Sequence, residues 1–554
     1  MRSDYVRIYK AVHTWTGILS GMALFIAFYA GALTVFKEPL ARWASPPAAG
    51  AAAVPLEDAP ALIAQVLASR SDAARDFRLH LQAAEHVPAR LSWHVRDADA
   101  DDHDASSARH YTATLEADGT ARVDEARPAQ VGAFIDVLHR VVGLPFDTDP
   151  NRWVMGVIAA LYTLALISGV VVLLPSLVRD FFALRVGRNL KRMWLDAHNV
   201  VGIVSLPFHL VMALTAVVFA FHDGIYHLQD RMFHDGKLTA AFAGGGRGKA
   251  PPGPARDPAG LLAPAELLAR VHELSPGFAP NALQYLNTTS PRAVVRVWGH
   301  DAAALSPRAA GGFVAIDPYD GRIVSADYLP GRQDGAHTLV SSFFAAHFAT
   351  FGGTPVQWAY FLLGLAGAWL FYSGNLLWIE SRRRKAARDG GAAPEQRRDV
   401  RLLAAATVGV CLGCVAGVSA TIVAGKWLSG QVADLGAWHR YVYYAVFFAG
   451  VGWAFLRGAA RASVHLLVAA ALLTFMIPLT TLLAWLFPAL GLWAHGSPAS
   501  LGVDATALAG GLCFLGMARA TARRLAHGPA DSVWSPAGRA APAEAAADAP
   551  VRAS

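Results

Sequence analysis

The chain has 554 residues, of which 54% are apolar and 16% charged, against about 25% charged in ordinary soluble domains. Several apolar runs of about 20 residues match the thickness of a bilayer's hydrocarbon core. The composition therefore argues for a membrane protein and against a disordered or nucleic-acid-binding chain. The net charge of +7 is topological, because membrane proteins gather basic residues on their cytoplasmic side loop by loop. The three cysteines, Cys411, Cys414 and Cys513, fall in apolar runs, which leaves no disulfide framework or Cys-rich metal cage for any exported part.

In chain order, apolar runs near 14–36, 153–174, 200–221, 356–379, 402–424, 440–457, 463–487 and 503–520 predict eight spans. From a cytoplasmic N-terminus, the inside segments carry Arg2, Arg7 and Lys10, then Arg179, Arg185, Arg188, Lys191 and Arg192, then the Arg382 to Lys385 cluster. Arg457, Arg461, Arg519, Arg523 and Arg524 follow the same rule, which puts both termini in the cytoplasm. The segment 37–150 holds 18 acidic and 11 basic residues, as expected outside. The first run, at about 20 residues, exceeds the 7 to 15 of a signal-peptide core and is read as a retained span.

Two polar segments, 37–150 and 222–346, are each long enough for a small α+β module. The stretches Ala59 to Ala68 and Pro264 to Leu274 have helical apolar spacing. Ala293 to Val297 and Phe313 to Ile316 alternate as strands, and Asp317-Pro318-Tyr319-Asp320-Gly321 predicts a hairpin turn. Gly244 to Pro258 reads as a loop, 386–401 as a basic linker, and the Ala/Pro-rich tail after Pro529 as disordered.

An internal two-fold repeat relates the first four spans. His13-x-x-x-Gly17-Ile18-x-Ser20 matches His198-x-x-x-Gly202-Ile203-x-Ser205. Trp153 and Trp358 are each followed by Ser-Gly, at Ser168-Gly169 and Ser373-Gly374, with Arg179 and Arg384 beyond. His139 precedes Trp153 and His347 precedes Trp358. The repeat places His13 and His198 at the cytoplasmic ends of two parallel helices, and His139 and His347 near the outer surface. Two related imidazole pairs at opposite faces predict two haem b sites, each with both axial positions filled and suited to electron transfer rather than oxygen activation. Two alternatives for the outer site stay open: no outer haem at all, or a site that uses His209. His198 and His209 are eleven residues apart, which returns to within roughly 20° of one helix face at a separation of roughly 16 Å; His222 is a weaker candidate. Arg140 and Trp153 are placed to meet a haem propionate, although both are also common interfacial anchors.

The His-x-x-x-Gly spans, Leu138-His139-Arg140, Asp196-Ala197-His198-Asn199, His347 with Phe351-Gly352-Gly353, and the Val314 to Val324 unit together resemble the PepSY-associated transmembrane helix family over residues 1 to about 385. The resemblance implies external PepSY-like modules. Because the family includes inner-membrane ferric-siderophore reductases, it also implies electron export and periplasmic reduction of a ferric chelate for iron acquisition. Residues 402–525 add four spans that the shorter members lack. No dinucleotide-binding or P-loop motif occurs, so the electrons are expected from a quinol or a soluble cytoplasmic reductase. Two other classes compete: a non-enzymatic membrane protein whose modules bind a periplasmic partner, and a siderophore or iron transporter, which its few intramembrane acids disfavour.

Other features receive plainer readings. Cys411-x-x-Cys414 lies among small residues that favour close helix packing. His439 and His465 read as interfacial residues, and the Asp97 to Asp104 run with His103 as a solvated loop.

Overall fold

The computed structural model describes residues 3–47, 54–82, 89–95, 108–126, 129–178, 190–235, 254–385, 394–529 and 531–535. The Asp97 to Asp104 run, Arg179, Arg185 and Arg188, most of the Gly244 to Pro258 loop and the first half of the 386–401 linker lie outside the described residues.

The chain is mostly helical. It starts with α1 (Ser3–Thr34) and α2 (Lys37–Ala44), then enters the first external segment with α3 (Ala59–Ser69) and strands β1 (Asp76–His80), β2 (Leu91–Val95), β3 (Arg109–Leu115) and β4 (Ala121–Ala126). Helices α4 (Val131–Arg140) and α5 (Asp149–Leu173) return it to the apolar layer, and α6 (Leu190–Val204) with α7 (Leu206–Gln229) leads out again. The second external segment contains α8 (Pro264–Leu274), β5 (Phe278–Leu286), β6 (Val294–Asp301), β7 (Gly312–Ile316), β8 (Ile323–Ser325) and α9 (Gly335–Phe348). The remaining helices are α10 (Gly353–Ser381), α11 (Arg398–Trp427), α12 (Leu435–Leu486) and α13 (Pro498–His527).

Among the described residues, six helices (α1, α5, α10, α11, α12 and α13) are long and apolar enough to cross a membrane, and α6 with α7 forms a further bent pair. The 69° bend follows from Pro207 in the first turn of α7, which supplies no backbone N–H to the preceding turn. At 52 residues, α12 would measure about 78 Å if straight, far more than a bilayer core of about 30 Å. Gly458, at φ 74°, breaks it. The arms fold back on each other: Trp453 Nε1 donates to His465 Nδ1 at 3.1 Å, and a Cβ on Gly450 would lie 3.6 Å from Leu466. Glycine is required at the reversal because side-chain-bearing residues rarely adopt that φ.

The external segments, expected as two modules, share one eight-stranded antiparallel sheet of order β4-β3-β2-β1-β5-β6-β7-β8. The first strands of the two segments pair, with Phe77 opposite Tyr285 and their rings stacked 4.5 Å apart. Joining them removes the open edge that each four-stranded half would otherwise expose. Helices α3 and α8 cover one face through Leu62, Ile63, Val66, Leu267 and Val271, against Leu79, Leu91, Leu283, Val295 and Val297. The predicted turn at 317–321 joins β7 to β8, with Asp317 accepting from the Tyr319 amide.

The tail follows a different course from the expected disorder over residues 531–535. Asp531 pairs with Arg383, and its carbonyl accepts from Gln396 Nε2 at 2.7 Å.

Candidate haem-ligand pairs

Four helices hold the inner histidines. His13 on α1 and His198 on α6 face each other with ring centres 6.5 Å apart and planes at 73°. His13 Nδ1 donates to the Ala165 carbonyl of α5 at 2.8 Å. His198 Nδ1 lies 2.9 Å from Ser373 Oγ of α10. That hydroxyl already donates to the Leu370 carbonyl, so the imidazole is the donor. The Ser-Gly pairs have a local role here: a Cβ on Gly169 would come 3.0 Å from His13 Cε1, and one on Gly374 would come 3.7 Å from His198 Cε1.

The outer pair is built alike. His139 on α4 and His347 on α9 have ring centres 6.1 Å apart, with planes at 36°. His139 Nδ1 donates to the Ala27 carbonyl of α1 at 2.8 Å, and His347 Nδ1 lies 2.7 Å from Thr215 Oγ1 of α7. Thr215 spends its proton on the Val211 carbonyl, which again leaves the imidazole as donor. Gly31 makes the approach possible, since a Cβ there would sit 2.7 Å from His139 Nδ1.

All four rings therefore carry their proton on Nδ1 and keep the Nε2 lone pair available, the arrangement that orients histidine ligands toward a metal. With metal–nitrogen bonds of about 2 Å, two imidazoles on opposite sides of one iron have ring centres about 6 Å apart. Both pairs have that spacing. Around one iron, each pair would supply two ligands and a haem macrocycle the other four. Space is present beside the inner pair. Gly17 and Gly202, one turn beyond His13 and His198, are part-buried, yet a Cβ on either would meet nothing within 4 Å. Along α1, fourteen residues separate His13 from Ala27, a rise of about 21 Å, less than the thickness of a bilayer core.

His209 belongs to neither pair. It is 3% exposed and lies among Phe28, Phe208, Tyr162 and Phe371. Its Nδ1 is 2.6 Å from the Tyr162 hydroxyl, and its buried Nε2 has no hydrogen-bond partner among the described residues. His222 Nδ1 donates to the Phe219 carbonyl at 2.7 Å. Arg140 pairs with Asp147 and lies 3.4 Å from Asp136, while Arg152 holds the other Asp147 oxygen at 2.8 Å. This carboxylate network, rather than a free guanidinium, occupies the position from which a propionate contact was expected. Trp153 packs on Phe221 with ring centres 5.6 Å apart.

The last helices reach the site through α4. Phe134 meets Tyr443 at 5.5 Å and His439 at 6.2 Å between ring centres. Tyr444 donates to the Gly143 carbonyl at 2.9 Å. Trp43 Nε1 donates to Asp504 at 2.9 Å, and His495 Nε2 donates to the Ser45 carbonyl at 2.8 Å. Thus α2 and α4, which carry the chain toward His139, are seated on α11, α12 and α13. His439 is not interfacial: it is 0% exposed, and neither ring nitrogen has a partner among the described residues. Lys426, 1% exposed, lies with Nζ 3.9 Å from the Trp43 ring centre. Sequence pattern sets His439 aside because no repeat marks it, and it does not single out Lys426. Cys411 and Cys414 are buried in the same core, as small-residue packing predicts.

A family model for the PepSY-associated TM region matches residues 11–381. No curated protein matches the chain.

Proposed function

This multi-pass membrane protein belongs to the PepSY-associated TM region family, and from that premise we propose that it is a di-haem electron conduit that reduces a ferric chelate on the periplasmic side of the bacterial inner membrane. The observation that carries the reading is the double histidine pairing: two imidazole pairs with ring centres 6.5 and 6.1 Å apart, every Nδ1 engaged, and no hydrogen bond on any of the four Nε2 atoms among the described residues. His13 and His198 would hold the inner haem b, and His139 and His347 the outer one. Bound haem supplies reversible one-electron chemistry. The protein fixes each imidazole's orientation and shields the pairs within apolar helices.

We read eight crossings: α6 with α7 as one, and α12 as two joined at Gly458. Both termini are then cytoplasmic. For each ferric ion reduced, one electron leaves a quinol or a soluble cytoplasmic reductase and reaches the chelate, turning Fe(III) to Fe(II). Oxygen-rich siderophores favour the hard ferric ion and hold the softer ferrous ion less well, so reduction releases the metal without cleaving the chelator.

The test places the purified protein in sealed vesicles with a reductant inside and a ferric siderophore outside, and follows external Fe(II) with a membrane-impermeant ferrous chelator. Fe(II) should form only when both histidine pairs are intact. Equal formation in the His13→Ala protein would overturn the reading.

A further inference from the structure

The sheet face turned away from α3 and α8 is assembled from both external segments. Alternation brings Arg78 of β1 to this face, with Ser92 of β2 on one side and Gln284 of β5 on the other. Gln284 in turn lies opposite Arg296 of β6. The backbones that carry the two arginines thus stand two strands apart, about 10 Å. Trp298 and Phe313 continue the face, with ring centres 4.8 Å apart, and Arg296 lies 5.0 Å from the Phe313 ring centre.

Arg78 and Arg296 are part-buried, and among the described residues neither has a hydrogen bond or ion pair. Burial pushes both guanidiniums below their ordinary pKa. Arg308 adds a third positive charge felt by Arg296. The opposing charge is Asp76, whose carboxylate accepts from Gln284 Nε2 at 3.0 and 3.2 Å. Gln284 also accepts from Trp298 Nε1 at 3.0 Å, so the polar groups between the arginines are already satisfied. Part-buried cations without partners are costly until an anion arrives.

The face also leads toward the outer histidines. Tyr328 stacks on Phe313 at 5.3 Å and meets His337 in the first turn of α9 at 5.7 Å. His347 lies ten residues further along that helix, about 15 Å away.

Resting on the reductase reading above, we propose that this face, centred on Arg78 and Arg296 and flanked by Trp298 and Phe313, binds the ferric chelate and selects an anionic one. Its chemistry fits a catecholate-type complex: guanidiniums for negatively charged oxygen donors and aromatic rings for the flat catechol faces. Neither half of the sheet forms it alone, which gives the β1–β5 junction a functional role.

The experiment measures binding of redox-inert gallium(III) complexes to the full-length detergent-purified protein by calorimetry, with haem content determined on the same samples. Gallium tris-catecholate, of charge −3, should bind, and neutral gallium tris-hydroxamate should bind at least about tenfold more weakly. Arg78→Gln and Arg296→Gln should each weaken tris-catecholate binding at least about tenfold while keeping both haems. The exposed Arg308→Gln, which leaves the sheet's packing untouched, should weaken it to a smaller extent. Equal affinity for the two complexes, or unchanged tris-catecholate affinity in all three variants, would overturn the proposal. Absence of haem from the wild-type protein would instead overturn the reductase reading, whatever the gallium complexes do.

Discussion

His139 and His347 face each other with ring centres 6.1 Å apart, although one follows the first external segment and the other ends the second. Each is fixed from a different transmembrane helix, His139 by the Ala27 carbonyl and His347 by Thr215. The pair is assembled from four chain segments, and among the described residues neither Nε2 has a hydrogen bond, which is the geometry the haem proposal rests on.

Loss of ligands should follow the pairs. His13→Ala and His198→Ala should each remove the same haem, and His139→Ala and His347→Ala the other, giving about one haem per chain in every case. Redox titration separates the two by potential. If His13→Ala and His198→Ala delete different components, the pairing is wrong.

His209→Ala should leave both haems bound. The change opens a cavity among Phe28, Tyr162 and Phe371 and removes the imidazole partner of the Tyr162 hydroxyl, leaving it the residue-209 carbonyl at 3.1 Å. A cost of about 2 to 4 kcal/mol is expected, visible as a lower thermal midpoint. A variant that lacks one haem would identify His209 as a ligand.

Open space and tight space should respond oppositely. Gly17→Leu and Gly202→Leu meet no protein atom near the Cβ, so the protein should stay folded by circular dichroism while the inner haem is excluded. Gly31→Ala drives a methyl into His139 and should deplete the outer haem alone. Full inner-haem occupancy in Gly202→Leu would place the macrocycle elsewhere.

The C-terminal helices should act on the outer site through α4. Phe134→Ala removes ring contacts with Tyr443 and His439 at a cost of about 3 to 5 kcal/mol. Outer-haem occupancy should fall while the inner haem persists. Equal loss of both would make the contact a general support rather than a support of His139.

Much of this arrangement was legible because it is periodic or repeated. The helix Pro264–Leu274 follows from three- and four-residue spacing, and the hairpin at 317–321 from its turn residues. The four histidines that the structure pairs were marked by the repeat. What pattern could not reach is non-local. Strand β1 carries nothing that names β5 as its partner, so two modules were expected where one sheet forms. Arg140 looks free until Asp136 and Asp147 fold against it. His439 sits near a helix end, where an interfacial role is the ordinary expectation, and the packing of α4 and of Gly425 on α11 buries it.

The central claim is that two imidazole pairs each hold a haem iron. Its most direct test is the dithionite-reduced minus oxidised visible spectrum of the detergent-purified chain, with haem quantified against protein. Two haem-bearing pairs would give a six-coordinate b-type spectrum with two haems per chain; a featureless spectrum after expression with ample haem would mean that neither pair binds haem.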